Sequence, residues 1–217
     1  VHTLNYGDAI SGEAIFIHQM IKGRGGESTI YALGAHEKVR QHFRPIAALA
    51  QDLTAQPVSP DDLVILHYSI ASPFNEFFRN LTHCRRAVIY HNLTPPKWFR
   101  GYNTRVEEDL VQGIHELRDI CLVADIVIAD SGYNAGELVE AGIGSVEVLP
   151  LMLDTSKWSE AANAGIAATL RGTPGVNLLH VGRLAPNKCI EDIIKAFYFF
   201  HHKINKESRL YLVGIDI

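Results

Sequence analysis

Two basic residues stand near the end of the chain, between an apolar run and an amphipathic one. Arg183 and Lys188 belong to the sequence HVGRLAPNK, which overlaps the apolar stretch Asn177–Val181 and is followed by a helical pattern from Ile190. A strand-to-helix turn exposes backbone N–H groups, and the helix dipole favours an anion there. Two cations at such a turn form charge-assisted bonds to phosphate oxygens. The segment predicts a diphosphate site, and a solvated basic turn is the alternative.

A second loop whose residues could contact a ligand lies at the start of the first helical pattern. It has the sequence NYGDAISG and follows Val1–Leu4, which resembles the end of a first strand. Gly7 lets the backbone approach a ligand, while Asp8 and Ser11 can contact sugar hydroxyls or cap the helix. The glycine spacing is a weak signal by itself, so a tight turn with a cap stays an open alternative.

Polar side chains also follow the predicted central strands. They are His67, Tyr68, His91, Asn92 and Ser131. In open α/β sheets, ligands bind beyond the carboxyl ends of the strands, so these residues are candidates for contacts with a substrate. The alternatives are a His91 ring bonded to a backbone carbonyl, packing roles for His67 and Tyr68, and a helix N-cap at Ser131.

Short apolar runs alternate with amphipathic stretches along the chain. The predicted strands are Ser28–Leu33, Leu63–His67, Ala87–Tyr90, Ile126–Ala129, Val146–Leu149, Asn177–Val181 and Arg209–Val213. Helical patterns surround Ala14–Ile21 and cover Val106–Leu122 and Ile190–Ile204. Strands that are apolar on both faces are typical of parallel sheets covered by helices. The order predicts an α/β fold with a Rossmann-like, doubly wound parallel sheet.

The composition after Pro150 indicates a second domain. We expect a first domain over residues 1–154, a connection over 155–175 and the beginning of a second Rossmann-like domain over 176–217. The connection is rich in Ala, Asn, Gly and Ser, and one short helix is predicted around Ile166–Leu170. A single strand–helix–strand unit is too small to form its own core, so the second domain is expected to be incomplete.

Bulk properties exclude several classes of protein. A hydrophobic fraction of 47% with 20% charged residues is typical of a globular chain, and a net charge of −4 argues against a nucleic-acid binder. The three cysteines lack a C-x-x-C pair, and the motifs of serine hydrolases, zinc proteases and P-loop proteins are missing. No apolar run approaches the ~20 residues of a membrane span. We expect a cytoplasmic protein, with peripheral contact at the inner face of a membrane left open.

Four segments together resemble the retaining GT-B glycosyltransferases of family 4, also called group 1. The segments are Tyr6–Glu13, His91–Pro96, Asp130–Tyr133 and Val181–Lys188. The resemblance extends over essentially the whole chain. One departure is Cys189, which stands where the family usually has glycine.

This resemblance implies transfer of a sugar from a nucleotide-diphosphate donor to a hydroxyl of a glycan or lipid-linked acceptor, with retention of configuration. Arg183, Lys188 and Gly7 would bind the donor phosphates, and His91 would be the catalytic-site residue that contacts the donor sugar. Acceptor or sugar contacts would come from Asp8, Ser11, His67, Tyr68, Asn92 and Ser131. No metal or other cofactor is expected, because protein cations neutralise the leaving diphosphate. The leaving phosphate itself would deprotonate the acceptor.

The resemblance further implies that a motif with two glutamates, which grips the ribose and the sugar, lies beyond Ile217. We therefore expect the 217-residue chain to be an inactive portion of the enzyme. Two alternatives stay open: a non-catalytic glycan-binding or partner module on half a GT-B fold, and a nucleotide-sugar epimerase. A binding module would hold a glycan without a donor, whereas an epimerase would alter a nucleotide-sugar without an acceptor.

Overall fold

The computed structural model of the chain describes residues 1–152, 159 and 161–214. They fall into two compact units. The first comprises Val1–Pro96 and Arg105–Asp154, and the second comprises Lys97–Thr104 and Thr155–Ile217. Residues 155–158 and 160 of the predicted connection lie outside the described residues.

The first unit alternates strands and helices as the sequence predicts. Its elements are α1 (Ala9–Gly23), β1 (Ile30–Ala32), β2 (Phe43–Pro45), α2 (Ile46–Ala55), β3 (Leu63–Tyr68), α3 (Pro73–Asn80), β4 (Arg85–Tyr90), α4 (Thr104–Leu122), β5 (Ile126–Ala129), α5 (Gly132–Glu140) and β6 (Glu147–Val148). The second unit contains α6 (Ala164–Gly172), β7 (Asn177–Val181), α7 (Ile190–Lys203) and β8 (Arg209–Val213). No described helix has both the length and the apolar character that crossing a membrane requires.

The central sheet of the first unit has four parallel strands in the order β3-β4-β5-β6, flanked by helices. This arrangement confirms the α/β class and is consistent with a Rossmann-like fold. Tyr68 of β3 lies opposite Tyr90 of β4, which in turn lies opposite Ala129 of β5. The three strands therefore end level with one another, and the residues that follow them share one edge.

Apolar runs on both faces of these strands supply the core. Val88 and Ala129 are fully buried in the sheet, and Phe78, Ile120 and Leu138 of the flanking helices are buried to 1% exposure or less. Complete burial of a large apolar side chain contributes roughly 1.5–3 kcal/mol. Packing of this kind makes the carboxyl edge of the sheet a rigid support for polar side chains.

A separate two-stranded parallel ladder joins β1 to β2. Strand β1 is shorter than the predicted Ser28–Leu33, because its ladder with β2 covers only Ile30–Ala32. The structure adds β2, which the sequence analysis did not predict, since Arg44 and Pro45 interrupt any apolar pattern there. The amino-terminal residues run alongside β1, with Leu4 bridged in parallel to Ala35.

The second unit is built on a parallel pair of strands, β7 and β8, joined by α7. The bounds of both strands match the prediction, and α7 ends one residue earlier, at Lys203. The helix predicted around Ile166–Leu170 is present as the longer α6.

Candidate functional site

The carboxyl edge of the central sheet brings together residues from three neighbouring strands. His67 is the penultimate residue of β3, His91 follows β4, and Asp130 follows β5. The His91 amide donates to the Tyr68 carbonyl at 2.9 Å, and the Asp130 amide donates to the Tyr90 carbonyl at 3.3 Å. These backbone bonds extend the parallel ladders by one residue and fix where each side chain begins.

Helix α1 adds a carboxylate to this edge. The helix starts after Asp8, whose Oδ2 accepts a hydrogen bond from the Ser11 amide at 3.1 Å. Capping of this kind satisfies a free N–H group of the first turn. Glu13 lies one turn before Ile17, on the buried face of the helix, and its side chain is completely inaccessible to solvent.

Glu13, His67 and His91 form a closed cluster, here called the buried triad. The Nδ1 atom of His67 lies 3.0 Å from Nε2 of His91, within hydrogen-bond distance. The Oε2 atom of Glu13 lies 3.6 Å from His67 Nδ1 and 3.5 Å from His91 Nε2. The side chains of His67 and His91 are 6% and 1% exposed. Three polar atoms from distant parts of the sequence thus face one point inside the protein.

Burial dominates the electrostatics of the triad. It raises the pKa of Glu13 to about 7, and the nearby charge of Asp130 adds to this shift, while a hydrogen bond from the Met152 amide opposes it. Burial also lowers the pKa of His67, an effect that His91 reinforces. The pKa of His91 is lowered by burial as well, although Asp130 counteracts this. Burial therefore favours the neutral form of both imidazoles.

Asp130 connects the triad to a second polar network. Its Oδ2 lies 3.4 Å from Nδ1 of His91. Its other oxygen accepts a hydrogen bond from the side-chain amide of Asn134. Asn92 donates to Glu137 at 2.8 Å, and the Tyr90 hydroxyl donates to the same Glu137 oxygen at 3.0 Å. Asn92 adopts a left-handed backbone conformation, with φ at 72°, which turns the chain away from β4.

Several sequence-predicted contact residues have internal partners in the structure. Ser131 caps α5 by accepting from the Asn134 amide at 3.2 Å, and the Tyr68 hydroxyl donates to the Gly113 carbonyl at 2.6 Å. The Ser11 hydroxyl is fully buried between Asp8 and Thr3. Their roles toward a sugar or an acceptor stay predictions.

Gly7 lies in the turn before α1 with φ at 80°, a conformation that favours glycine. The space around it is open, because a Cβ atom there would meet no other atom within 4 Å. The turn can therefore present its backbone to a ligand, as the sequence predicts, but it is equally the geometry of a tight turn ahead of a capped helix.

The predicted diphosphate turn lies in the second unit. Arg183 and Lys188 are both exposed, and neither forms an ion pair with a described residue. Lys188 ends a short 3-10 turn, Pro186–Lys188, and α7 begins two residues later without a side-chain cap. The first N–H groups of such a helix have no partner within the helix, although the Asp192 amide of α7 already donates to the Cys189 carbonyl at 3.0 Å. Cations and backbone donors are thus available together, as phosphate binding requires.

The backbone conformation of Cys189 explains why glycine is expected at this position. Its φ of 50° and ψ of 47° lie in the left-handed region, where a side chain is strained. Gly214, the residue after β8, lies so close to Gly182 that a Cβ atom on it would overlap the Gly182 carbonyl.

Sequence reasoning missed Glu13 and Asp130 as members of the site. Both lie in segments that were singled out, but neither was predicted to act. A signal for Glu13 was present, because it precedes Ile17 by four residues and so extends the apolar stripe of α1. A charged residue on a buried helix face needs a partner, and only the fold shows that the partners are His67 and His91.

Comparisons with known proteins add no family assignment. No family model matches the chain, and no curated protein matches it significantly.

Proposed function

We propose that this chain is part of a retaining GT-B glycosyltransferase that uses a nucleotide-diphosphate sugar. The observation that carries the proposal is the turn between β7 and α7, where Arg183 and Lys188 are exposed and form no ion pair with a described residue. They lie beside a helix that has no side-chain cap. Further support comes from the parallel sheet of the first unit, which has a cluster of polar residues at its carboxyl edge. The resemblance of four segments to family 4 supplies the reaction class.

The proposed reaction is a substitution at the anomeric carbon of the donor sugar. The acceptor hydroxyl oxygen bonds to that carbon on the face that the diphosphate leaves, while the bond to the β-phosphate oxygen breaks. The hydroxyl proton passes to the departing phosphate, so the products are a glycoside and a nucleoside diphosphate. Arg183 and Lys188 stabilise the negative charge that develops on the diphosphate, in place of a metal ion.

The acceptor in this proposal is a glycan or a lipid-linked sugar, with no role for nucleic acid. His91 stays the residue predicted to contact the donor sugar. In the first unit, both of its ring nitrogens face protein groups, Nε2 toward Glu13 and His67 and Nδ1 toward Asp130.

The experiment is a transfer assay on the protein purified from its native host, with a panel of nucleotide-sugars and glycan acceptors. We expect one donor to be consumed only in the presence of acceptor. Arg183→Ala should lower kcat/KM by about 10–100-fold, because a charge-assisted hydrogen bond to phosphate contributes about 1.5–3 kcal/mol.

The matched control is Lys206→Ala, which removes an exposed cation from the same unit at a site away from the turn. It should leave kcat/KM within twofold of the unmodified protein. Equal losses in the two variants would contradict a specific role for Arg183. Conversion of a nucleotide-sugar without acceptor would instead identify an epimerase.

A further inference from the structure

The buried triad has the geometry of a metal site. Its three facing atoms, Glu13 Oε2, His67 Nδ1 and His91 Nε2, are separated by 3.0, 3.5 and 3.6 Å. A circle through three points with these separations has a radius of about 2.0 Å. Zinc lies about 2.0–2.1 Å from imidazole nitrogen and about 2.0–2.2 Å from carboxylate oxygen. An ion close to the plane of the three atoms would therefore reach all of them at ordinary bond lengths.

The hydrogen bonds of the triad do not account for its carboxylate. Glu13 Oε2 is buried and has no hydrogen-bond partner among the described residues. It lies almost equally far from both imidazole nitrogens, at separations longer than a normal charge-assisted hydrogen bond. An unpaired buried carboxylate oxygen is costly, and a cation between the three atoms would satisfy it.

The surroundings of the triad match the outer shell of a metal centre. Metal-binding histidines usually present their other nitrogen to a carboxylate, which orients the ring. His91 Nδ1 faces Asp130 Oδ2 at 3.4 Å, although it makes no hydrogen bond to a described residue. The other oxygen of Glu13 accepts a hydrogen bond from the Met152 amide at 3.4 Å, which orients the carboxylate.

We propose that Glu13, His67 and His91 bind one divalent transition-metal ion of the zinc type. Two imidazoles and one carboxylate suit Zn²⁺, Co²⁺ or Fe²⁺, whereas Mg²⁺ and Ca²⁺ prefer oxygen ligands throughout. The sequence contains no motif for this site, because its three ligands come from a helix and two strand ends far apart in the chain. The proposal concerns the first unit alone and does not depend on the proposed transferase activity.

The metal and the donor sugar are exclusive assignments for His91. A ring whose Nε2 binds an ion cannot use that nitrogen to contact a sugar, and its Nδ1 faces Asp130. Occupancy of the triad would therefore replace the sequence-based role of His91 with a structural one.

The test is titration of the untagged, chelator-treated 217-residue chain with Co²⁺, followed by its visible absorption and by competition with Zn²⁺. We expect one equivalent of Co²⁺ to bind and to give the visible absorption of Co²⁺ with fewer than six ligands. Zn²⁺ should displace the Co²⁺, and Mg²⁺ should have no effect. Glu13→Gln, which keeps the size of the side chain, should weaken binding by at least 100-fold. Asp130→Asn should weaken it by about 10–100-fold, because it alters only the outer shell.

The control is His18→Gln, because His18 lies on the same helix but bonds to Ser28 outside the triad. Circular dichroism establishes that each variant is folded, and Asp130→Asn provides the test if Glu13→Gln does not fold. If Glu13→Gln folds and binds Co²⁺ with unchanged affinity, the proposal is overturned. If Glu13→Gln does not fold, unchanged affinity in Asp130→Asn overturns it instead. Failure of the unmodified chain to bind Co²⁺ or Zn²⁺ would overturn it as well.

Discussion

At the scale of single residues, Cys189 shows how a local strain can be located from sequence and explained by structure. The resemblance marks its position as one where glycine is usual, and the structure gives it a φ of 50°. A left-handed backbone costs a residue with a side chain about 1–2 kcal/mol, part of which glycine loses again through its freedom in the unfolded chain.

We predict that Cys189→Gly stabilises the start of α7 by roughly 0.5–1 kcal/mol. Amide hydrogen exchange across Ile190–Lys203 should become about two- to fivefold slower. The matched control is Lys206→Gly, an exposed position outside the left-handed region, where exchange should not slow. Faster exchange in Cys189→Gly would mean that the left-handed conformation is not a source of strain.

Glu13 marks the limit of prediction at this scale. Its place on the apolar stripe of α1 can be read from the spacing to Ile17, but its partners cannot. His67 and His91 become its neighbours only because β3 and β4 pair in parallel and end level with each other. That register depends on many weak packing contacts, which no local pattern in the sequence records.

At the scale of secondary-structure elements, a polar contact ties β1 and β2 to α2. The Tyr31 hydroxyl donates to Asp52 Oδ2 at 2.7 Å, and Arg44 Nε donates to the same oxygen at 2.7 Å. The hydroxyl of Tyr31 and the guanidinium of Arg44 hold the pKa of Asp52 below its ordinary value. A carboxyl with a lowered pKa stabilises the fold when ionised and loses that contribution in acid.

We predict an acid-dependent difference between the unmodified chain and Asp52→Asn. The variant should be less stable near pH 6, and the gap should shrink as the pH falls from about 4 through the lowered pKa of Asp52. Urea unfolding at a series of pH values measures it. Asp61→Asn, at an exposed site, should show no such convergence. A gap that stays constant down to pH 3 would contradict the role of Asp52.

The elements themselves differ in how well the sequence predicts them. The bounds of β5, β7 and β8 match because their largely apolar runs end at turn residues. The short strand β2 could not be predicted, since its residues Phe43–Pro45 carry no strand pattern and pair only because β1 lies beside them.

At the scale of the whole molecule, the two units hold different groups of candidate functional residues. The first unit holds the buried triad at the carboxyl edge of its sheet, and the second holds the exposed cations of the β7–α7 turn. The α/β class and the parallel direction of the strands could be predicted, because alternation of apolar strands with amphipathic helices leaves few other folds. The reaction could not be derived from the fold, since one fold supports many activities.

The most direct test of the central claim is a titration of the 217-residue chain with inorganic pyrophosphate, followed by ³¹P NMR. We expect a saturable change in the ³¹P signal that is at least tenfold weaker in affinity for the Arg183→Ala, Lys188→Ala double variant and unchanged for Lys206→Ala. If the double variant binds pyrophosphate as well as the unmodified chain, the β7–α7 turn is not the diphosphate site and the transferase proposal loses its main support.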